Sequence, residues 1–383
     1  MFVLAGGLMK YLFINVVAGS GSTGRIAAEQ CRKLQAQGHE CVLAYGRWES
    51  NCEGVTTHRI GTSLDYRVHG LMTRLFDLHG FGSKCATRKF LYWVKEYDPD
   101  VIWLHNIHGY YLNIELLFNY LKTCGKTIRW TLHDCWAFTG HCSHFSYVGC
   151  EQWKTECSKC VQLKEYPKCM GLSDVRQNFA RKKQAFTSVP DLTLVAPCRW
   201  LADQVRQSFL SDYPIEVVYN KIETTVFKPT QSGFREKYGL QNKTVLLGVA
   251  SKWGKRKGLQ DQLALIESLG EPYRLVLVGV SEEQKKELPA QALGILRTEN
   301  ASQLAEIYTA ADYLINTSYE ETYPTVNLEA QACGTPVIAY DVGGTWETIT
   351  TPESYLVPVG RYDLIKARLE QKADDKASLG EAR

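Results

Sequence analysis

Two glutamates, Glu321 and Glu329, are separated by seven residues in a stretch that follows an apolar run. We place Glu321 in a loop and Glu329 two turns into the next helix. Carboxylates accept hydrogen bonds from hydroxyl groups, so this pair can hold two hydroxyl-bearing rings of one ligand. The N–H groups of Thr325 and Val326, at the expected helix start, can receive phosphate oxygens. Solvated surface glutamates are the alternative, but Glu329 falls in the apolar stretch 328–332, where an unpaired carboxylate is costly.

A basic loop follows the apolar run Thr244–Ala250. It contains Lys252, Arg256 and Lys257 and leads into a helical pattern from 259 to 269. Cations before a helix suit a diphosphate, because their charge and the helix dipole act together. A solvated basic turn is the alternative. Together with the glutamates, the loop predicts a site for a sugar joined to a nucleotide through a diphosphate.

Two glycines, Gly19 and Gly21, lie in the loop after the first apolar run. A strand, a glycine loop and a helix N-terminus make a place where backbone N–H groups can face phosphate oxygens or a substrate. A glycine turn that only packs the helix on the sheet is the alternative.

A histidine and an aspartate, His133 and Asp134, come directly after the apolar run Thr127–Leu132. Ligands of open parallel sheets bind at the carboxyl ends of the strands, so both side chains are expected at the rim of a site. We predict a functional role for His133. The alternative is that His133, like a histidine at the end of any other strand, is only solvated or caps the core.

Four cysteines, Cys142, Cys150, Cys157 and Cys160, follow in a long stretch without clear periodicity. The C-x2-C spacing of the last two suits a tetrahedral zinc, and the first two can complete a structural site. Buried reduced thiols are the alternative, because the first pair is spaced too widely for a zinc ribbon. A redox-active pair of cysteines is a third alternative. No cofactor is predicted to be required for catalysis.

Apolar runs of strand length alternate with helical periodicity along the chain, which predicts an α/β fold with parallel sheets. At 383 residues the chain suits two domains, and the pattern starts again in its second half. We predict two Rossmann-like doubly wound domains, at 9–218 and 219–366, and a helical tail at 367–383. A cysteine-rich loop lies at about 135–170. The predicted strands are Tyr11–Val17, Cys41–Tyr45, Val101–Leu104, Thr127–Leu132, Leu192–Ala196, Thr244–Ala250, Arg274–Val278, Tyr313–Asn316 and Pro336–Tyr340.

The composition is 45% hydrophobic and 22% charged, which is typical of a packed globular protein. No apolar run reaches the roughly 20 residues of a membrane-spanning helix, and Met1–Leu8 is too short for a signal peptide. We expect a cytoplasmic protein that starts at Met9 after a dispensable leader. The net charge of +3 is too weak to indicate nucleic acid as a partner.

These motifs resemble family 4 of the glycosyltransferases, retaining enzymes of the GT-B fold that often serve bacterial polysaccharide assembly. The most specific motif is Glu-x7-Glu, within EETYPTVNLEAQACGTPVIA. Support comes from RKG at Arg256–Gly258, from SQLAEIYTAADYLINTS and from the glycine loop after the first strand. The run HDCWAFTGHC with its trailing cysteines is similar to a subgroup of colanic acid, capsule and O-antigen transferases. The resemblance covers nearly the whole chain.

The resemblance implies that a nucleotide-sugar donor, linked to UDP or GDP, binds between two facing domains. Lys257 would grip the diphosphate, Glu321 would hold the sugar near its anomeric centre, and Glu329 would bind ribose hydroxyls. The family usually has an arginine shortly before the lysine, and here Lys252 or Arg256 would replace it.

The first domain would be the acceptor side, with His133 in the sugar subsite and Gly19 and Gly21 approaching donor or acceptor. The implied catalytic residues are Glu321, Lys257 and His133. The implied acceptor is a hydroxyl of a glycan or of a polyprenyl-linked glycan.

A basic and aromatic stretch between Arg67 and Tyr97 suits a peripheral contact with an anionic membrane, at the inner face of the plasma membrane. Ordinary amphipathic helices are the alternative. The residues concerned are Arg67, Arg74, Lys84, Arg88, Lys89, Lys95, Leu71, Leu75, Phe76, Phe81, Phe90, Tyr92 and Trp93.

Three other classes of protein stay open. A GT-B-type sugar-nucleotide epimerase or hydrolase would share the fold and need no acceptor. An NAD enzyme would bind a nicotinamide cofactor at the glycine loop. A zinc-based interaction protein would explain the cysteines but would leave Glu321, Glu329 and Lys257 without a role.

Overall fold

The computed structural model describes the backbone of residues 7–381 and the side chains of residues 7–371. The chain divides between Tyr219 and Asn220 into two compact units, which are described separately. Most of the predicted leader, residues 1–6, and the last two residues of the predicted tail lie outside the described residues.

The first unit contains a seven-stranded parallel sheet with the order β3-β2-β1-β4-β5-β6-β7. Its strands are β1 (Lys10–Asn15), β2 (Glu40–Tyr45), β3 (Thr56–Arg59), β4 (Val101–Leu104), β5 (Thr127–Thr131), β6 (Leu192–Ala196) and β7 (Ile215–Val217). Its helices are α1 (Gly21–Ala36), α2 (Ser63–Phe76), α3 (Lys84–Tyr97), α4 (Ile114–Leu121), α5 (Val175–Phe186) and α6 (Arg199–Arg206). Between β5 and α5 the chain is irregular, apart from two short 3-10 helices.

The second unit contains a six-stranded parallel sheet with the order β10-β9-β8-β11-β12-β13. Its strands are β8 (Thr244–Val249), β9 (Tyr273–Val278), β10 (Ala292–Ile295), β11 (Tyr313–Asn316), β12 (Val337–Tyr340) and β13 (Tyr355–Val357). Its helices are α7 (Phe234–Tyr238), α8 (Leu259–Ser268), α9 (Glu282–Lys286), α10 (Ala301–Ala310), α11 (Thr325–Ala332) and α12 (Tyr362–Glu381).

The predicted α/β class, with two doubly wound parallel sheets, is confirmed. All nine predicted strands are present within one or two residues of their expected ends. The four strands that the sequence did not predict, β3, β7, β10 and β13, are the edge strands of the two sheets. They are short and mostly half-exposed, so they show no continuous apolar run.

The sheet of the second unit is covered on both faces. Side chains alternate between the faces of a strand, so β8 contributes Leu246 to one core cluster and Val245 and Leu247 to the other. Burial on both faces leaves the ends of the strands as the accessible edges, and loops at the carboxyl ends are where ligands of such sheets bind.

In the part of the chain that the structure describes, no helix combines the length and the apolar character needed to cross a membrane.

Candidate functional site

The loops after β8 and β11 bring the predicted lysine and the first predicted glutamate together. Lys257 ends a 3-10 helix before α8, and its Nζ forms an ion pair with Oε1 of Glu321. Arg256 donates from Nη1 to the backbone oxygen of Glu320 at 3.1 Å. The backbone N–H of Tyr319 donates to the oxygen of Arg256 at 2.9 Å. The basic loop and the glutamate loop therefore form one structure.

Neighbouring cations keep the carboxyl group of Glu321 ionised. Burial by itself would raise the pKa of this carboxyl group, but Lys257 and Arg256 oppose it, and the pKa is lowered. Only about a tenth of the Glu321 side chain is exposed, against a fifth for Lys257. Lysine has three N–H donors, so Lys257 can hold the carboxylate and also bind a phosphate oxygen.

Two glycines allow neighbouring backbone to lie very close to the glutamate loop and to the strand end before it. Gly258 has φ +66°, and a Cβ atom there would lie 2.0 Å from the backbone oxygen of Thr317. Gly343 has φ +57°, and its Cβ would lie 1.8 Å from the backbone oxygen of Glu321. The left-handed backbone and the lack of space exclude a side chain at both positions. Both loops of the site are therefore fixed by neighbouring backbone.

The second predicted glutamate, Glu329, is buried and accepts a hydrogen bond from Tyr308 Oη at 3.0 Å. The prediction that it lies two turns into the helix is wrong, because α11 begins at Thr325 and Glu329 stands little more than one turn inside it. The helix itself starts at Thr325, where it was expected, with Pro324 at the N-cap position. No side chain caps this end, so the N–H groups of Thr325 and Val326 are not occupied by a capping side chain.

A buried amide network, which the sequence did not indicate, supports the glutamate loop. Asn316 donates to Asn327 Oδ1 at 3.0 Å, and Asn327 donates to Thr348 Oγ1 at 2.9 Å. The backbone N–H of Ser318 donates to Asn316 Oδ1 at 3.2 Å. Buried amides that are paired in this way fix the loop in one arrangement. The sequence held a clue to this network, because Asn316 ends a predicted strand and Asn327 lies inside the Glu-x7-Glu motif.

Two further predicted donor residues, Lys252 and Arg256, lie in the same basic loop. Lys252 is exposed, whereas Arg256 reaches the backbone of the glutamate loop. Lys252 and Arg256 are the two candidates to replace the arginine that the resembling family usually has shortly before the lysine. Of the two, Arg256 is the one with a defined contact to the loop that carries Glu321.

In the first unit, the glycine loop joins β1 to α1 as predicted. Gly19 and Gly21 have φ of +70° and +63°, and α1 has neither a side-chain cap nor an acidic residue in its first turn. The buried amide of Asn15 donates to the oxygen of Val17 at 2.7 Å and accepts from the N–H of Asn106 at 3.1 Å. This amide, which the sequence did not single out, fixes the glycine loop to the loop after β4.

His133 follows β5 as predicted, and its ring stacks on the ring of His105, with 3.0 Å between His133 Nε2 and His105 Nδ1. Burial lowers the pKa of His133 to about 4, although Asp134 opposes the shift. The imidazole is therefore neutral near pH 7. It can form hydrogen bonds with hydroxyl groups but is not a charged acid there.

Asp134 does not pair with its sequence neighbour. Its Oδ2 lies 2.9 Å from Nε2 of His108, whose Nδ1 lies 3.1 Å from the phenol oxygen of Tyr166. Burial opposes ionisation of Asp134, but His108 lowers the pKa of this carboxyl group to about 2. The sequence reasoning missed His108, although it lies in the loop after a predicted strand, where site residues were expected.

Near these groups, Arg47 follows β2 and is surrounded by aromatic rings. Its guanidinium lies 4.6 Å from the ring centre of Tyr66, 5.1 Å from that of Trp48 and 5.7 Å from that of Tyr110. The Nε atom of Arg47 is buried without a hydrogen-bond partner among the described residues. Trp48 and Tyr110 both have positive φ, of 63° and 75°. Backbone strain of this kind gathers at binding sites.

The four predicted zinc ligands, Cys142, Cys150, Cys157 and Cys160, line one cavity of about 20 Å³. Within this set, the thiols of Cys142 and Cys160 are hydrogen-bonded to each other. Among the described residues, however, no group of three or more His, Cys, Asp or Glu side chains is arranged to hold a metal ion. Cys142 and Cys157 are buried, whereas Cys150 and Cys160 are half-buried, and structural zinc stays a prediction.

The predicted basic and aromatic stretch is only partly a surface. Phe81 and Phe90 are buried in the first unit, so including them in a membrane-facing set was wrong. Leu71, Leu75 and Tyr92 are exposed, as expected. Helical periodicity alone does not tell which apolar residues face the core.

Comparison with known proteins identifies the second unit. Residues 231–382 match the family model described as Glycosyl transferases group 1. The chain is 25% identical over 349 residues to WcaC of Escherichia coli K12, a glycosyl transferase assigned to colanic acid biosynthesis, covering 86% of this chain and 83% of that protein.

Two solved structures share the fold of the whole chain. Sucrose-phosphate synthase from Thermosynechococcus elongatus superposes with a TM-score of 0.69 at 16% identity, over 96% of this chain and 90% of that one. Anabaena Alr3699/HepE, solved with UDP, superposes with a TM-score of 0.67 at 14% identity, over 96% and 91%. The fold is GT-B, and the class of enzyme is a glycosyltransferase. Its second unit is a glycosyltransferase group 1 domain, and the chain is homologous to the colanic acid transferase.

Proposed function

We propose that this enzyme is a retaining glycosyltransferase of family 4, which moves a sugar from a nucleotide-sugar donor to a hydroxyl of a glycan or lipid-linked glycan. The contact between Lys257 and Glu321 is the main support, because it joins a diphosphate-binding cation to a sugar-binding carboxylate at one place. Bacterial surface polysaccharide synthesis is the process we propose, since the homologous WcaC is assigned to colanic acid.

Each part of the donor has a proposed partner in the second unit. Lys257, with Arg256 and Lys252 nearby, neutralises the diphosphate, while the N–H groups of Thr325 and Val326 receive phosphate oxygens. Glu321 accepts hydrogen bonds from the sugar, and Glu329 from the ribose. Anabaena Alr3699/HepE, which shares the fold, has been solved with UDP and with UDP-glucose, and this supports a nucleotide-sugar donor for the proposed reaction.

The proposed reaction breaks the bond between the anomeric carbon and the phosphate oxygen while the acceptor hydroxyl attacks the same face of the sugar. The transition state resembles an oxocarbenium ion, and the hydroxyl proton passes to the departing diphosphate. Lys257 and the helix N-terminus stabilise the growing negative charge, and the carboxylate of Glu321 lies against the positive charge on the sugar. No protein nucleophile is needed.

On the acceptor side we propose the first unit, with neutral His133 bound to sugar hydroxyls and Gly19 and Gly21 approaching the donor or acceptor. The loops that carry Arg47 and His108 end at the same edge of this sheet and are suited to hold the acceptor. We further propose a cytoplasmic enzyme at the inner face of the plasma membrane. An epimerase or hydrolase reaction is not favoured by any observation.

Nucleotide binding tests the donor site. We expect UDP or GDP, and the matching activated sugar, to raise the melting temperature of the full chain, since a ligand that binds only the folded state stabilises it. In the variant Lys257→Met/Glu321→Gln this shift should disappear and turnover should fall about 100-fold or more, as on loss of a preorganised charge contact.

The double variant is chosen because Lys257→Met alone would remove the direct ion-pair partner of the buried Glu321 carboxylate, which destabilises the fold. Lys286→Met, at the exposed end of α9, is the matched control and should behave as the wild type. If the double variant keeps the melting shift and the turnover, the proposed donor site is wrong.

A further inference from the structure

Two histidines of the first unit, His105 and His133, share one hydrogen bond. His105 follows β4 and His133 follows the loop residue after β5, and these two parallel strands are neighbours in the sheet. His133 Nε2 lies 3.0 Å from His105 Nδ1, and the two rings stack with their centres 5.3 Å apart. One of these two nitrogens must donate and the other must accept.

Both rings are neutral near pH 7. Burial lowers the pKa of His105 well below its usual value, and the nearby His133 lowers it further. The pKa of His133 is lowered to about 4. A neutral imidazole carries one N–H and one lone pair, so a single hydrogen lies between the two rings. The ring that supplies this hydrogen decides the state of the two remaining nitrogens, His105 Nε2 and His133 Nδ1.

The far nitrogen of His105, Nε2, distinguishes the two arrangements. It is buried and has no hydrogen-bond partner among the described residues. If His133 supplied the shared hydrogen, His105 Nε2 would carry a buried N–H without an acceptor. If His105 supplies it, Nε2 carries only a lone pair. Buried N–H groups without a partner are rarer in protein backbones than unsatisfied acceptors, and we extend this rule to the ring. The burial of Nε2 therefore favours His105 as the hydrogen-bond donor.

The surroundings of His105 support the same assignment. Its ring stacks on Phe13 and Trp103, with ring centres 5.9 Å and 6.3 Å away, and neither ring offers a strong acceptor to an N–H. Trp136 lines the same cavity of about 10 Å³ as His105, and its Nε1 is also buried without a partner among the described residues. An indole N–H only donates, so a lone pair on His105 Nε2 complements it and a second N–H does not.

We propose that His105 is a positioning residue that fixes His133 in the tautomer with its hydrogen on Nδ1. His105 Nδ1–H donates to His133 Nε2, so both rings carry their hydrogen on Nδ1. The Nδ1–H of His133 is then left for a bound molecule. Among the described residues none forms a hydrogen bond with this nitrogen, and the side chain of His133 is only half-buried.

The tautomer determines which ligand atom His133 recognises. A ring N–H pairs with an oxygen lone pair, such as that of a sugar hydroxyl, and it repels an ammonium group at the same place. A site that provides a hydrogen-bond donor rejects a ligand without the matching acceptor. This consequence rests on the proposed function, in which His133 contacts the sugar. The tautomer itself does not depend on that function.

Nitrogen NMR of the full chain tests the tautomer directly. Long-range ¹H–¹⁵N spectra of protein labelled with ¹⁵N-histidine separate the two neutral forms, because protonated and bare ring nitrogens resonate far apart. The signals of His133 are those that disappear in His133→Asn. Near pH 7 we expect the Nδ1–H pattern for His133 in the wild type. Solvated histidine side chains favour Nε2–H, so this pattern marks a tautomer that the protein imposes.

Two variants of nearly equal side-chain size separate hydrogen bonding from packing. His105→Asn keeps an N–H donor near the position of Nδ1, whereas His105→Leu does not. We expect His133 to stay Nδ1–H in His105→Asn and to change to Nε2–H in His105→Leu. Both variants lose the stacked ring, so both should lower the melting temperature to a similar extent.

Transfer kinetics with one sugar donor and one acceptor for all variants test the consequence. We expect kcat/KM to fall about tenfold or more in His105→Leu and to stay within about threefold of the wild type in His105→Asn, as on loss and retention of one buried hydrogen bond. A purely structural role would make kcat/KM follow the melting temperature in both variants. The control is His39→Asn, before β2, which should change neither the His133 signals nor kcat/KM.

An Nε2–H pattern for His133 in the wild type would overturn the proposal. So would an Nδ1–H pattern that persists in His105→Leu, because His105 would then not impose it. A tautomer that changes in His105→Leu without any loss of kcat/KM would refute the role in recognition, provided that His133→Asn is impaired. If His133→Asn is as active as the wild type, the proposed contact of His133 with the sugar is wrong, and the spectra alone decide the tautomer.

Discussion

At the scale of single residues, each unit has its own kind of candidate group: charged groups in the second unit and a neutral histidine in the first. Lys257 and Arg256 hold Glu321 ionised in a buried place. His133, in contrast, is neutral because burial lowers its pKa. A neutral imidazole donates and accepts hydrogen bonds, which suits sugar hydroxyls. We therefore expect His133 to position the sugar without exchanging a proton with it.

A pH profile checks this role. With a pKa of about 4, His133 gains its proton only well below pH 5, so it should contribute no ionisation to kcat/KM between pH 5.5 and 9. His133→Asn should lower kcat/KM about tenfold or more at all these values, as on loss of a hydrogen bond that leaves buried partners unpaired.

His39→Asn, which lies before β2 at the opposite edge of the sheet, should leave kcat/KM unchanged. An acidic limb near pH 6 that is present in the wild type and absent from His133→Asn would show that the imidazole titrates during the reaction. That result would make His133 a proton carrier rather than a positioning group.

At the scale of elements, the loops proposed to bind the donor are held by backbone contacts as much as by side chains. The loop with Glu321 packs directly against Gly343, and the basic loop packs against Thr317 through Gly258. Asn316 and Asn327 connect the end of β11 with α11. Because the loops are fixed from both sides, Lys257 and Glu321 are held close enough to form their ion pair.

Gly343→Ala should disturb this element selectively. Its Cβ would lie 1.8 Å from the backbone oxygen of Glu321, so the glutamate loop must move. The control is Gly360→Ala, which has the same kind of positive φ, at 77°, with open space around it.

Both alanines should lower the melting temperature through backbone strain, but only Gly343→Ala should raise the Kd for the activated sugar, by about tenfold or more. Calorimetric titration and thermal unfolding of both variants separate the two effects. Equal affinities in the two variants would contradict the proposed importance of the loop contact.

At the scale of the whole molecule, the residues that we propose to bind the donor belong to a unit with its own sheet and its own cores. The C-terminal helix α12 is part of that unit: Ile365 and Leu369 are buried in one of its clusters, and Tyr273 Oη donates to the oxygen of Leu369 at 3.1 Å. The groups that we propose for the acceptor side, among them His133, belong to the first unit.

Residues 220–383 should therefore fold alone with one cooperative transition. The fragment should keep the nucleotide-induced melting shift of the full chain, within a few degrees, and should show no sugar transfer. Circular dichroism, thermal shift and a product assay check these outcomes. A fragment that unfolds, or that folds without binding nucleotide, would show that donor binding needs the first unit.

The sequence alone determined the α/β class and the nine central strands, and it pointed to the Glu-x7-Glu motif as the candidate donor site. Central parallel strands are buried on both faces, so each leaves a continuous apolar run that can be recognised locally. The glutamates, the basic loop and His133 were found because site residues follow such runs. The edge strands β3, β7, β10 and β13 were missed, since half-exposed strands leave no such run.

Only the tertiary structure decided which of these residues touch. Lys257 meets Glu321 across 64 positions, and Asp134 meets His108 rather than the adjacent His133. The same holds for α2, where the sequence shows Leu71 and Leu75 as apolar positions but not that they face outward. The periodicity of apolar side chains is a local property of the sequence. Which side chains contact each other, and which face of a helix points to the core, depends on how the crossover connections pack distant loops together.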